Sequence, residues 1–284
     1  MRSQLYLGLA AALVSLHSQA DHIEELVVTA SHETRTINVT DELVISPDVA
    51  QLLKKAPGAN VNANGPLTGI PQYRGMYGPR IATSLDGTQL APAGPNWMDP
   101  PLSYARNGHL QSLEVYRGIA PVSVAQESIG GAIDARTNKG EFTAGNDFQL
   151  GGRLIGSAQS INNGQQLSGA LFVTNNTHRL KLAGIIEQGD DAEFPGGELL
   201  PTEYERQRYD VGYGFRAGNH SLQFSYGYND TGESGTPALP MDIDYFEGDL
   251  YDLTYRFELA DEVAITAAVF ASALDHGMTC LLYT

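Results

Sequence analysis

The chain has 284 residues, with 33 acidic side chains against 17 Lys and Arg, a formal net charge of −16. A surface of that sign repels polyanions and excludes a nucleic-acid partner, and the single cysteine, Cys280, excludes an internal disulfide and a cysteine-based zinc site. Hydrophobic residues make up 42%, enough for a core, yet no run after Leu16 suits a membrane-spanning helix, so a passage through a bilayer must be made by strands.

Residues 1–20 read as a cleavable export signal: Arg2, an apolar run over 5–16, and a small-residue exit at Ser18-Gln19-Ala20. Residues 21–40 read as a linker. It carries an extended, β-branched hexamer, Glu25-Leu26-Val27-Val28-Thr29-Ala30, suited to add itself as a strand to a partner's sheet edge. Ser46-Pro47-Asp48 starts a helix, Val49, Leu52, Leu53 and Ala56 recur at helical spacing, and Pro57-Gly58 stops it. Short β-like runs follow, such as residues 80–85 ahead of the turn Asp86-Gly87, and Leu113-Glu114-Val115-Tyr116. Residues 41–143 therefore read as a compact α+β domain.

From residue 144 the texture changes to two-residue alternation. Tyr209, Val211, Tyr213 and Phe215 alternate with Asp210, Gly212, Gly214 and Arg216; Tyr251, Leu253, Tyr255 and Phe257 alternate with Asp252, Thr254, Arg256 and Glu258. The pattern predicts strands near 147–158, 165–174, 178–188, 206–217, 219–229, 248–259 and 262–273. Their connections are tight near 175–176, 218–219 and 260–261, and long at 189–205 and 230–247. Short turns on one side and long loops on the other are the rhythm of an outer-membrane barrel. The alternative is a secreted or periplasmic β-sandwich binding module with no transport role.

In order and spacing these motifs resemble the TonB-dependent outer-membrane receptors. The hexamer at 25–30 is similar to their TonB box. Leu52-Leu53 with Pro57-Gly58, Arg74-Gly75, Leu85-Asp86-Gly87, Leu113-Glu114-Val115-Tyr116-Arg117-Gly118 and Ser128-Ile129-Gly130-Gly131-Ala132-Ile133 are similar to their plug domain. The resemblance implies an α+β plug followed by antiparallel transmembrane strands of a barrel of about 22 strands. It implies the bacterial outer membrane as location, with lipid around the barrel. It also implies active transport of a scarce nutrient, a metal ion, metal chelate or similar small extracellular ligand, and TonB with its inner-membrane accessory proteins as the energy-supplying partner. Arg74 and Arg117 are expected to pair with barrel carboxylates. No phosphate loop, Ser-His-Asp arrangement or zinc spacing stands out, and the chain is read as no enzyme and as needing no cofactor.

The segment Trp97-Met98-Asp99-Pro100-Pro101 is similar to a stretch of TonB-dependent copper receptors in which a Met and a nearby Cys take the metal. Soft ligands suit Cu(I). Met98 matches that Met, whereas Gly94 stands where the Cys would be. Met76, Trp97, Asp99 and His109 complete the candidate substrate-binding set, with Met98 as the candidate metal ligand for copper or another metal as cargo. The bland readings beside these are a rigid apical turn for Met98, core packing for Met76 and a surface turn for His109. Residues 144–284 supply only seven strands, so at least roughly 270 further residues are expected elsewhere in the protein. Residues 278–284 break the alternation and carry the single cysteine, which makes them a candidate for non-native sequence.

Overall fold

The computed structural model describes residues 34–41, 46–92, 97, 99–125, 128–260 and 263–280. The signal, the hexamer at 25–30, Gly94 and Met98 lie outside the described residues. In chain order the first part contributes β1 (Thr34–Asn38), β2 (Ala59–Ala63), β3 (Gly69–Tyr73), β4 (Met76–Tyr77), β5 (Ala82–Leu85), β6 (Thr88–Gln89), β7 (Leu110–Arg117) and β8 (Gly131–Thr137). One sheet has the order β1-β7-β8-β5-β6, and a smaller one has β2-β3-β4. The β5–β8 pair is parallel. In the turn before β6, Asp86 and Gly87 both adopt positive φ, 52° and 85°, as a tight hairpin requires. The Asp86 carboxylate also accepts from the Thr137 amide (2.9 Å) and hydroxyl (2.6 Å), tying the hairpin to the end of β8.

The helix expected after Asp48 is wound as a 3-10 helix, Val49–Lys55. Asp48 caps it by accepting from the Ala50 amide at 2.9 Å, and the Ala56 amide closes it on the Leu53 carbonyl at 2.8 Å. With Pro57 following, no amide is left to extend an α-helical ladder. The anticipated face is still the buried one: Val49, Leu52 and Leu53 join Ile81, Leu85, Leu102, Leu113, Val115 and Ile133 in one core.

The second part is one antiparallel seven-stranded sheet. Its strands are β9 (Gln149–Gln159), β10 (Gly164–Thr174), β11 (His178–Gly189), β14 (Tyr204–Ala217), β15 (His220–Ser234), β16 (Met241–Ala260) and β17 (Val263–Cys280). A small hairpin, β12 (Ala192–Phe194) with β13 (Gly197–Leu199), fills the connection between β11 and β14. Among the described residues the sheet is open, with β9 and β17 at its edges. Two expectations need correction. The long connection predicted at 230–247 contracts to residues 235–240, because β15 and β16 run on in register to Ser234↔Ile243. The last strand, expected near 262–273, runs on to Cys280 as β17, where Met278 pairs with Ile243, since backbone pairing continues past the end of the side-chain alternation.

The two faces differ as alternation requires. Tyr209 and Val211 are 49% and 40% exposed, while Arg208 and Asp210 between and beside them are 4% and 7% exposed. Leu154, Leu171, Leu182, Leu222, Phe224, Leu253, Tyr255 and Val269 share the outer face. In water such a face carries a hydrophobic penalty; against hydrocarbon it carries none. No described helix is long and apolar enough to cross a membrane.

Candidate functional site

The inner face of the sheet holds charged residues in cross-strand rows, and the first domain is seated on them. Glu187, Arg206 and Thr231 stand opposite one another on β11, β14 and β15; one rung along are Ile185, Arg208 and Asn229; the next holds Ala183, Asp210 and Gly227. All of the charged members are at least nine-tenths buried. From the first domain, Arg106 lies 3.6 Å from Glu187 and donates to Thr231 Oγ1 at 3.4 Å. Arg206 pairs with the same Glu187 and also donates to the Pro47 carbonyl. Arg208 grips Asp210 at 2.6 Å and donates to the Tyr104 carbonyl at 2.7 Å. His109 Nδ1 rests on the other Asp210 oxygen.

This geometry corrects two expectations. His109 is not a surface turn residue: it is 2% exposed, because Asn107–His109 forms a 3-10 turn pressed against the inner face of the sheet, the wall on which this domain rests. The close approach depends on Gly108, where an added Cβ would fall 2.5 Å from Ser168 Cβ and 3.1 Å from Ile185 Cδ1. Arg106 meets the wall carboxylate Glu187, whereas Arg74 sits exposed at a positive-φ turn without an ion pair among the described residues.

Of the other candidates, Asp99 is fully buried. It accepts from the Tyr104 hydroxyl at 2.8 Å and from the Ser103 hydroxyl, so it braces the 3-10 turn Pro101–Tyr104. Burial raises its carboxyl above the usual range, against the lowering effect of those two bonds. Tyr104 in turn meets Phe246 of the wall edge-to-face at 5.3 Å. Met76 is half-buried against the core, with its Cβ and sulfur 3.2 Å from where a Gly130 Cβ would stand. The half-buried Trp97 lies over Gly78, so Met76 and Trp97 share one neighbourhood through β4, whereas His109 belongs to the wall contact. No cluster of three or more His, Cys, Asp or Glu suited to a metal occurs among the described residues.

Sequence reasoning missed the inward ladder of Glu187, Arg206, Arg208 and Asp210. Its signal was present: Arg206, Arg208 and Asp210 recur at alternate positions of one strand, on the face opposite Tyr209 and Val211. A second polar contact lies nearby, where a cavity of about 40 Å³ is lined by Asp86, Lys139, Lys181, Arg208, Asp210 and Asp252. Lys139 reaches both Asp86 and Asp252 at 3.8 Å.

With this arrangement described, the comparisons with known proteins fall into place. The family described as TonB-dependent Receptor Plug Domain matches residues 35–132. A comparison with curated proteins finds no match. Among solved structures, the copper transporter OprC superposes with a TM-score of 0.75 at 26% identity, covering 86% of this chain and 38% of that one. The Serratia marcescens hemophore receptor HasR, in complex with its hemophore HasA and heme, gives 0.71 at 18% identity, covering 87% and 39%. The FrpB iron transporter from Neisseria meningitidis gives 0.66 at 15% identity, covering 84% and 40%. At their identities the last two show the fold alone. The chain thus spans less than half the length of the structures it matches. Residues 35–132 thus match the TonB-dependent receptor plug family, and the sheet is similar to part of the barrel of such receptors.

Proposed function

We propose that this plug and these strands, within a closed barrel, serve TonB-dependent active transport of a scarce nutrient across the bacterial outer membrane. The observation that carries the reading is the division of the sheet: its apolar, aromatic side faces out, and its charged side grips the plug through Arg106, Tyr104 and His109. A secreted binding module would turn the aromatic side inward onto a core. The outer membrane holds no nucleotide supply, so work must arrive from an inner-membrane partner. The hexamer at 25–30 has the β-branched character to pair with TonB as an added strand, which the accessory proteins then pull. A machine of this kind binds and moves its ligand and performs no catalysis.

For the cargo, the reading is a metal ion or metal complex. The likeness to OprC supports copper, with Met98 as the soft ligand and Trp97 and Asp99 shaping its loop. The full-length receptor tests both levels. Val27→Pro or Val28→Pro removes a ladder donor, and is expected to abolish uptake while ligand binding persists; normal uptake would overturn the transport reading. Met98→Ala is expected to weaken copper affinity at least tenfold by equilibrium titration, and unchanged affinity would remove copper.

A further inference from the structure

The segment that joins the plug to the first barrel strand is fastened to the wall rather than slack. Phe142 is inserted between two inward-facing arginines, Arg179 of β11 and Arg216 of β14, each with its guanidinium carbon 4.7 Å from the ring centroid. The floor of the slot is Gly214, where a Cβ would come 3.1 Å from Phe142 Cζ. Hydrogen bonds from side chains and backbone hold the flanks. Arg179 donates to the Gly140 carbonyl at 2.9 Å, the Thr143 amide to the Asn175 carbonyl at 3.1 Å, and the Asn176 amide to the Gly145 carbonyl at 2.9 Å. The Asn176 side chain donates to Asn146 Oδ1 at 2.8 Å. The other end of the plug is held differently: β1 is a five-residue edge strand paired with β7 alone, with Thr34, Arg35 and Thr36 exposed.

We propose that the Phe142 slot is a mechanical anchor that forces the plug to open in place when its N-terminal end is pulled, instead of leaving the barrel as an intact body. The reach of the chain decides the point. Freed, residues 138–148 would span roughly 36–40 Å when extended, more than the apolar band of such a barrel, about 25 Å tall. A folded plug would then drop out whole on its tether. Fastened at Gly140 and Phe142, the linker leaves only residues 138–140 as slack after β8, about 10 Å. Because β8 lies between β7 and β5, a pull on β1 must separate strands before β8 can move further.

This proposal rests on the pulled-plug reading above for its meaning in the cell, but its test does not. The full-length receptor in a bilayer is pulled through an artificial N-terminal handle in a single-molecule force experiment. Wild type is expected to lengthen in two or more steps. A variant carrying Phe142→Ala with Arg179→Gln and Arg216→Gln is expected to release the plug in one event of no more than roughly 40 Å, at a rate roughly tenfold higher under the same load. Gly214→Leu, which fills the slot and leaves every charge in place, is expected to behave like that variant and guards against misfolding of the triple change. Whole-body release of the wild-type plug, or wild-type stepping in both variants, overturns the proposal. Because the handle replaces TonB, that outcome leaves the transport reading standing, and a failure of TonB-driven uptake leaves the stepping pattern unaltered.

Discussion

Glu187 is the carboxylate on which plug docking turns, because two buried guanidiniums share it. Arg106 lies at 3.6 Å from it and Arg206 is in direct contact. At an effective dielectric of 20, the Arg106 pair alone has a Coulomb energy of about 4–5 kcal/mol. Desolvation offsets much of that in the intact pair, but removing one partner leaves the other charges buried and uncompensated, at a cost of about 3–5 kcal/mol. Glu187→Gln keeps the side-chain volume and deletes the charge, so its effect is electrostatic rather than a cavity. The amides that report docking lie where the plug meets the wall: His109 and Leu110, which donate to the Arg106 carbonyl at 3.0 and 3.2 Å, and Asn138, which donates to the His109 carbonyl at 2.8 Å. Their hydrogen exchange in the full-length receptor is expected to quicken by a factor of about 100 or more, since each 1.36 kcal/mol is tenfold. Acceleration below threefold at all three amides would show that Glu187 does not hold the plug, and the argument from buried charge would fail.

Two further outcomes follow from the same structure. Burial raises the Asp48 carboxyl to about 6, outweighing its bonds to Gln51 and Ala50 and the attraction of Arg206. The folded plug therefore binds this proton more tightly than the unfolded chain does. The group's penalty is full above pH 6 and fades as pH falls toward the ordinary value near 4, a swing on the order of 3 kcal/mol. Asp48→Asn should stabilise the plug at pH 7.5 and flatten that limb of the stability–pH curve in denaturant titrations; an unchanged curve would contradict it. On the outer face, Leu253 stands in register between Phe224 and Val269. Leu253→Arg is predicted to cost about 2–4 kcal/mol when the receptor folds into lipid vesicles, and a cost under 1 kcal/mol would mean that this face does not meet lipid.

The strands of the second domain were legible because a two-residue period fixes which side chains share a face whatever the neighbours are. Tyr209, Val211 and Tyr213 announce their strand and its outer side without any tertiary information. The strand ends were less legible. Residues 230–234 and 241–247 pair with each other through backbone groups, which leave no mark on side-chain character. The Asp86-Gly87 turn was readable from its own chemistry. The 3-10 winding after Asp48 was not, because periodicity over seven residues cannot separate i+3 from i+4 bonding.

What the sequence by itself determined was local and periodic: the wet and greasy sides of each strand, the tight turns, and the order of plug before wall. Only the tertiary structure decided partners. Arg106 is separated from Glu187 by 81 positions and from Thr231 by 125, and Phe142 from Arg216 by 74. No spacing rule links such residues. They meet because the first domain is seated on the inner face of the sheet, and a buried charge must find its counterion wherever the fold brings one within reach.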